Sequence, residues 1–236
     1  MAGRATRLEP APLPEGEAKV AAVRTMFDTI APRYDLVNRI MTFRMDVRWR
    51  RRTVQALGLE PGAVVMDIAC GTGDLCDELE RRHLRPVGVD LSFGMLAAAH
   101  TDAPLVHADA LLLPMADASV DGATCGFALR NFVALEPFLA SLARVVRPGG
   151  RIALLEVATP PNPVLRWGHA FYFGKVVPRI GALLSDASAY RYLPKSVAYL
   201  PETSALLDMV RTAGFQDVQR DLFSFGIAQL ITGTRV

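Results

Sequence analysis

Three aspartates, Asp67, Asp90 and Asp109, each close a short apolar run: VVMD, PVGVD and LVHAD. Carboxylates gathered at one edge of a sheet can accept hydrogen bonds from ribose hydroxyls and flank a purine. After the first acid the chain reads IACGTGDL, a strand that enters Gly71-x-Gly73 and then a helix. Glycines there let backbone approach a ligand, and the helix start aims N–H groups at it. The third glycine of a dinucleotide fingerprint is replaced by Cys76, and neither a phosphate-loop lysine nor a Tyr-x-x-x-Lys pair is present. The pattern therefore points to an adenosine ligand without phosphates. Singly, Asp67 and Asp90 could merely cap strand ends; the third acid argues for a shared site.

The elements that would hold these residues follow from periodicity. VVMDIA, RPVGVDLS, LVHADA, VDGATCGFAL and RIALLEVAT have strand character, with helical or turn material between them. RVVRPGG reads as a helix end and a Pro-Gly-Gly turn before a strand at Arg151. This alternation predicts an α/β fold, a doubly wound, mostly parallel seven-stranded sheet. The final FQDVQRDLFSFGIAQLITGTRV has no helix between its apolar runs and predicts an antiparallel hairpin on the sheet edge. Residues 1–19 read as a Pro-rich disordered tail and 20–236 as one domain. Within it, 20–60 form an N-terminal helical cap and 160–201 a helical, aromatic lid insertion.

Composition excludes other classes. With 51% hydrophobic and 21% charged residues the chain is not disordered. A net charge of +2 gives no case for nucleic acid. Neither a signal peptide nor an uninterrupted transmembrane run is seen. Cys70, Cys76 and Cys125 form no C-x-x-C pair and the four histidines no ligand spacing, so we expect no metal and a reducing cytoplasm. His100, His107 and His169 are expected to be structural or exposed, and Cys70 a small core residue.

Five stretches carry a resemblance: MFDTIAPRYDLVN, MTFRMDVRW, GFALRN, RVVRPGGRIALLEVATP and VVPRIGALLSDASAYRYLPKS. Together they resemble class I S-adenosylmethionine-dependent methyltransferases, and more narrowly the ubiquinone/menaquinone biosynthesis C-methyltransferase family. The resemblance implies S-adenosylmethionine as cofactor and a prenylated quinol as substrate. It implies a cofactor site of Asp67, Ala69, Gly71, Thr72, Gly73, Asp90, Leu91, Asp109, Ala110 and Phe127. In it Thr72 would line the cofactor, Asp90 hold the ribose, and Asp109 with Ala110 flank the adenine. Tyr34, Asp35, Asn38, Asp46, Trp49, Arg179, Tyr190 and Tyr192 would contact substrate, and Arg130, Asn131 and Tyr34 would serve catalysis. The chain departs from the family pattern at Gly126 (usually serine), Ala128 (glycine), Leu111 (an acid) and Asp46 (histidine).

A ring carbon attacks a methyl sulfonium only when an adjacent hydroxyl is ionised, so the reacting form must be the quinol. Arg130 is a poor base; its expected role is to stabilise the quinolate, with Asn131 orienting it or touching the cofactor. The run Arg48 to Arg52 reads as a solvated helix face that could lean on anionic lipid. Val164, Trp167, Gly168 and Phe171 share a helical face, read as core or lid, with a tail channel or a bilayer contact as the functional addition. These features place the chain in the cytoplasm, peripheral to the membrane, and leave a homodimer open. Two other readings stay open: a methyltransferase for another small aromatic, and a non-catalytic cofactor-binding assembly protein.

Overall fold

The computed structural model describes residues 15–184 and 196–236. Its described strands form a seven-stranded sheet in the order β3-β2-β1-β4-β5-β7-β6. These are β1 (Val64–Ile68), β2 (Arg85–Asp90), β3 (Leu105–His107), β4 (Val120–Gly126), β5 (Val146–Val157), β6 (Phe215–Phe223) and β7 (Ala228–Arg235). β1 to β5 pair in parallel, whereas β7 runs antiparallel to β5 and β6 antiparallel to β7. The expected hairpin therefore stands at the sheet edge.

Strand β1 is buried along nearly its whole length, which is why it reads as a continuous apolar run rather than an alternation. β5 starts at Val146, not Arg151. Pro148-Gly149-Gly150 is a bulge within it, marked by a register shift against β4 between Val120 and Gly122. Gly150 is required there, since a Cβ would lie 2.8 Å from two backbone oxygens, those of Arg147 and Asp121.

Period two along β5 supplies two cores. Ile152 and Leu154 face α6 (Leu135–Val145) and α9 (Thr203–Thr212), joining Met66, Ile68, Phe138, Leu142, Leu206 and Val210. Ala153 and Leu155 face α3 (Met45–Leu57) and α4 (Asp74–Glu80), joining Trp49, Val54, Leu57, Val65, Leu75 and Leu79. The order of the strands reverses between β1 and β4. Loops after these strands must part, which opens a crevice at the carboxyl edge.

Helices cover that edge. α1 (Gly16–Ile30) begins inside the stretch read as tail. Lys19 is buried there, donating to the Phe132 carbonyl at 2.7 Å with its Nζ 3.6 Å from the Tyr199 ring centre. α2 (Tyr34–Met41) leads to α3 through Phe43 and Arg44, both with left-handed φ. On the far side, α7 (Pro163–Phe171) is capped by Asn162, whose side chain accepts from the Val164 and Leu165 N–H groups. A π-helical turn, Tyr172–Val176, joins it to α8 (Val177–Leu184). α5 is the short Phe93–Ala97 helix after β2. Among the described residues no helix is long and apolar enough to cross a membrane, and no group of three or more His, Cys, Asp or Glu could hold a metal.

Candidate active site

The crevice at the switch point is a cleft lined by Ala69 and Gly71 after β1, Asp90 to Ser92 after β2, and Ala108 to Leu111 after β3. Gly126 to Ala128 and Asn131 to Val133 close it from β4, and Val20, Val23, Arg24 and Phe27 roof it from α1. The roof is fastened at both ends. Lys19 holds the Phe132 carbonyl, and Asp28 accepts from Ser92 Oγ at 2.6 Å and Gly94 N–H at 2.9 Å.

Asp90 accepts from Gly71 N–H and Ser92 N–H, each at 2.8 Å, through different oxygens. Each oxygen keeps a second lone pair, so the fixed carboxylate can receive two vicinal hydroxyls. Burial raises its pKa, while the N–H groups of Ser92 and Gly71 pull it back. Asp109 accepts from Leu111 N–H at 2.9 Å. Ala69 and Phe127, one residue beyond β1 and β4, both adopt left-handed φ, 54° and 59°. Non-glycine residues in that region cost about 1–3 kcal/mol each, and such outliers cluster at binding sites. Gly126 lies against Leu75: a Cβ there would sit 2.9 Å from Leu75 Cδ1, so the serine usual in the family would need that side chain to yield.

Three expected cofactor residues sit elsewhere. Asp67 lies beneath the cleft, 1% exposed, accepting from Thr124 Oγ1 at 2.7 Å; burial raises its pKa to about 7, against the pull of the Thr124 bond. Thr72 is buried and donates to Asp35 at 2.8 Å, so it braces the cap instead of facing the cleft. Gly73 precedes α4 with φ 96°, and a Cβ on it would come within 2.5 Å of Thr101 Cγ2. It shapes the turn without lining the cleft.

A second cavity, of about 660 Å³ and mainly apolar, adjoins the first. Phe27, Tyr34 and Phe127 line both. Its walls also hold Asn38, Met41, Phe43, Asp46 and Trp49 from the N-terminal helices, Arg130 from beyond β4, and Val164, Leu165, Gly168, His169, Tyr172 and Phe173 from α7 and the π turn. Burial raises the pKa of Tyr34, with Arg50, an Asn38 hydrogen bond and Arg130 opposing, so the phenol stays a donor at neutral pH.

Arg130 is buried, and sequence reasoning missed its partner. Glu156, fully buried at the end of β5, accepts from Arg130 Nη1 and, at 3.2 Å, from the Arg130 N–H. Arg130 Nη1 also donates to the Phe127 carbonyl at 2.7 Å, and Nε to Ser196 Oγ at 3.1 Å. The guanidinium is thus fixed by three elements, with Nη2 making no bond to protein among the described residues. A signal existed: a lone carboxylate in IALLEVA cannot stay buried without a partner. Asn131, expected to orient Arg130 or touch the cofactor, lines the first cleft.

Other expected substrate contacts divide. Asp46 lines the cavity but is spoken for, accepting from Thr42 Oγ1 at 2.6 Å and from Arg50 Nη1. Arg50 is not on a solvated face: it is buried and bridges Asp46 to Asp74, 3.2 Å away, which also meets Arg39 at 2.9 Å. One helical turn from Asp46 to Arg50 turns both inward, while Arg48, Arg51 and Arg52 stay exposed. Asp35 faces Thr72 and His100, not the cavity. Trp49 lines it and donates Nε1–H to Ser224 Oγ at 2.9 Å. Arg179 is exposed on α8 and donates to the Lys175 carbonyl at 2.6 Å, outside the cavity wall. Tyr190 and Tyr192 lie outside the described residues.

This sheet order, the glycine turn after β1 and the acid closing β2 define a class I S-adenosylmethionine-dependent methyltransferase. Residues 15–235 match the ubiE/COQ5 methyltransferase family, and the chain belongs to it. It is 42% identical over 221 residues to a demethylmenaquinone methyltransferase of Thermus thermophilus, covering 89% of this chain and 100% of that one. Among solved structures it is similar to an S-adenosylmethionine-dependent methyltransferase of Thermotoga maritima, with TM-score 0.60, 19% identity and coverage of 90% and 99%. It also resembles phosphoethanolamine N-methyltransferase 2 of Haemonchus contortus, solved with S-adenosylmethionine, at TM-score 0.58 and 14% identity over 79% of this chain. The chain spans about half the length of that protein (52%). At such identities the structures speak for the fold alone.

Proposed function

We propose that this enzyme methylates a ring carbon of a prenylated quinol, with demethylmenaquinol as the favoured substrate. The observation that carries the reading is the apolar cavity that shares Phe27, Tyr34 and Phe127 with the cofactor cleft and holds Arg130 in its wall. S-adenosylmethionine supplies an electrophilic methyl on a sulfonium, and the cleft suits it: Asp90 offers a prefixed acceptor pair for the ribose, and Asp109 stands at the end of β3 for the adenine.

The chain's own part is to favour the quinolate. A phenolic hydroxyl ionises near pH 10, so its oxyanion at pH 7 needs about 4 kcal/mol of help. Glu156 offsets the Arg130 charge, so Arg130 acts as an oriented donor rather than a bare cation. Charge-assisted hydrogen bonds contribute about 1.5–3 kcal/mol each. Arg130 and the protonated Tyr34 together supply that help. Asn131 orients groups in the cleft, and Asn38 fixes Tyr34. Residues 20–60 act as a cap, and the described helices α7 and α8 as a lid, of one domain, covering the two cavities.

The rim supports a bilayer contact for a substrate with an isoprenoid tail. Phe43, Val164 and Phe225 line the cavity yet are 72%, 75% and 82% exposed, and Trp167 and Phe171 extend the patch along α7. Such a face suits the inner membrane surface, where the enzyme meets its substrate as a peripheral protein. The test is turnover with short-chain demethylmenaquinone, reduced or oxidised. S-adenosylhomocysteine forms only in the reduced sample; none in either, with cofactor bound, overturns the proposal.

A further inference from the structure

His169 lies in the last turn of α7, in the wall of the large cavity. Its ring packs against Phe173, with centres 4.4 Å apart. Among the described residues, its Nε2 is the buried side-chain nitrogen or oxygen without a hydrogen-bond partner. Buried polar atoms are nearly always paired, and His169 lines the cavity, so a ligand there can supply the missing partner once the ring turns toward it. Burial lowers its pKa, so the ring is neutral near pH 7 and its Nε2 can donate or accept according to tautomer.

A quinol brings two hydroxyls on opposite sides of its ring. One is accounted for by Arg130. The second enters the same apolar space and also needs a partner. Several other polar groups of the wall are engaged within the protein: Ser224 accepts from Trp49, Asp46 accepts from Thr42 and Arg50, and Arg166 donates to the Pro160 and Pro161 carbonyls, while Thr159 is solvent-exposed. Resting on the quinol reading above, we propose that His169 Nε2 binds the second ring oxygen and so selects which ring carbon meets the methyl donor. His169 is then an orienting residue for the substrate, and Arg130 the group at the reacting oxygen.

The experiment pairs two ligands with two variants: a prenylated naphthalenediol and the matching naphthol lacking the second hydroxyl, against His169→Leu and His169→Gln. Losing a hydrogen bond to a substrate hydroxyl in a closed site costs about tenfold or more in kcat/KM. His169→Leu should therefore lose about tenfold on the diol and less than about twofold on the naphthol, and His169→Gln should recover most of the diol activity. Quenching of Trp49, in the cavity wall, reads diol affinity independently of transfer. Calorimetric S-adenosylmethionine binding shows that each variant is folded. Equal losses on both ligands, or no loss on the diol, overturn the inference. Absence of transfer by the unaltered enzyme would instead sink the quinol reading, and the quenching comparison would still decide His169.

Discussion

Replacing Glu156 with glutamine tests how the site is held. The carboxylate accepts from Arg130 Nη1, from the Arg130 N–H at 3.2 Å and from the Val157 N–H at 2.8 Å, in a position with no exposure. An amide keeps one acceptor oxygen and turns two hydrogens toward groups that are themselves donors. It also leaves Arg130 buried without its countercharge. Breaking a buried pair costs about 3–5 kcal/mol. At about 2–4 °C per kcal/mol for a chain of this size, the melting temperature should fall about 6–20 °C. A guanidinium released from its fixed position should lower kcat on the order of 100-fold, the scale set by small misplacements in active sites. Calorimetric affinity for S-adenosylmethionine should stay within about twofold, because Asp90 and its N–H donors are untouched. Residual activity should rise at lower pH than in the unaltered enzyme, since the uncompensated cation favours the quinolate. An unchanged melting temperature and kcat would refute the pairing of Glu156 with Arg130 as the basis of the site.

Other outcomes follow from the same geometry. Asp90→Ala removes the acceptor for Gly71, Ser92 and the ribose, and should weaken cofactor binding by about 10–100-fold by calorimetry. Arg130→Lys keeps a charge for Glu156 but loses the planar fork, so cofactor affinity should hold while kcat drops about 100-fold or more. Asp67, whose folded-state pKa of about 7 lies above the unfolded carboxylate value, binds more protons folded than unfolded. Its contribution to stability is present in acid and lost as pH rises from about 4 through 7, by up to about 4 kcal/mol. Asp67→Asn should therefore raise the melting temperature more at pH 8 than at pH 5, and an equal change at both would contradict the raised pKa.

What could be read from the residues depended on how local the information was. Asp90 and the glycine turn were legible because a strand end and a helix start follow within a few residues. The hairpin was legible from the missing helix between two apolar runs. Arg50 was misread in the run WRRR, although its spacing from Asp46 is one helical turn; charge count hid the helical face. Thr72 was placed by analogy at the cofactor, and only the packing of α2 turns it to Asp35. Glu156 and Arg130 meet across two strands, so no window of sequence joins them. His169 lies on a helix whose inward face is set by tertiary contact with α2, through the Tyr172 hydroxyl on the Met41 carbonyl at 2.9 Å.

Carbon methylation of a quinol is tested most directly by locating the methyl group. Enzyme, S-adenosylmethionine and dithionite-reduced short-chain demethylmenaquinone are incubated, reoxidised in air and analysed by fragmentation mass spectrometry. We predict a product heavier by one methylene, with the methyl on the ring carbon beside the prenyl group, that reoxidises fully to a quinone. A methyl on oxygen, which blocks that reoxidation, or no methylated product from cofactor-loaded enzyme, would contradict it.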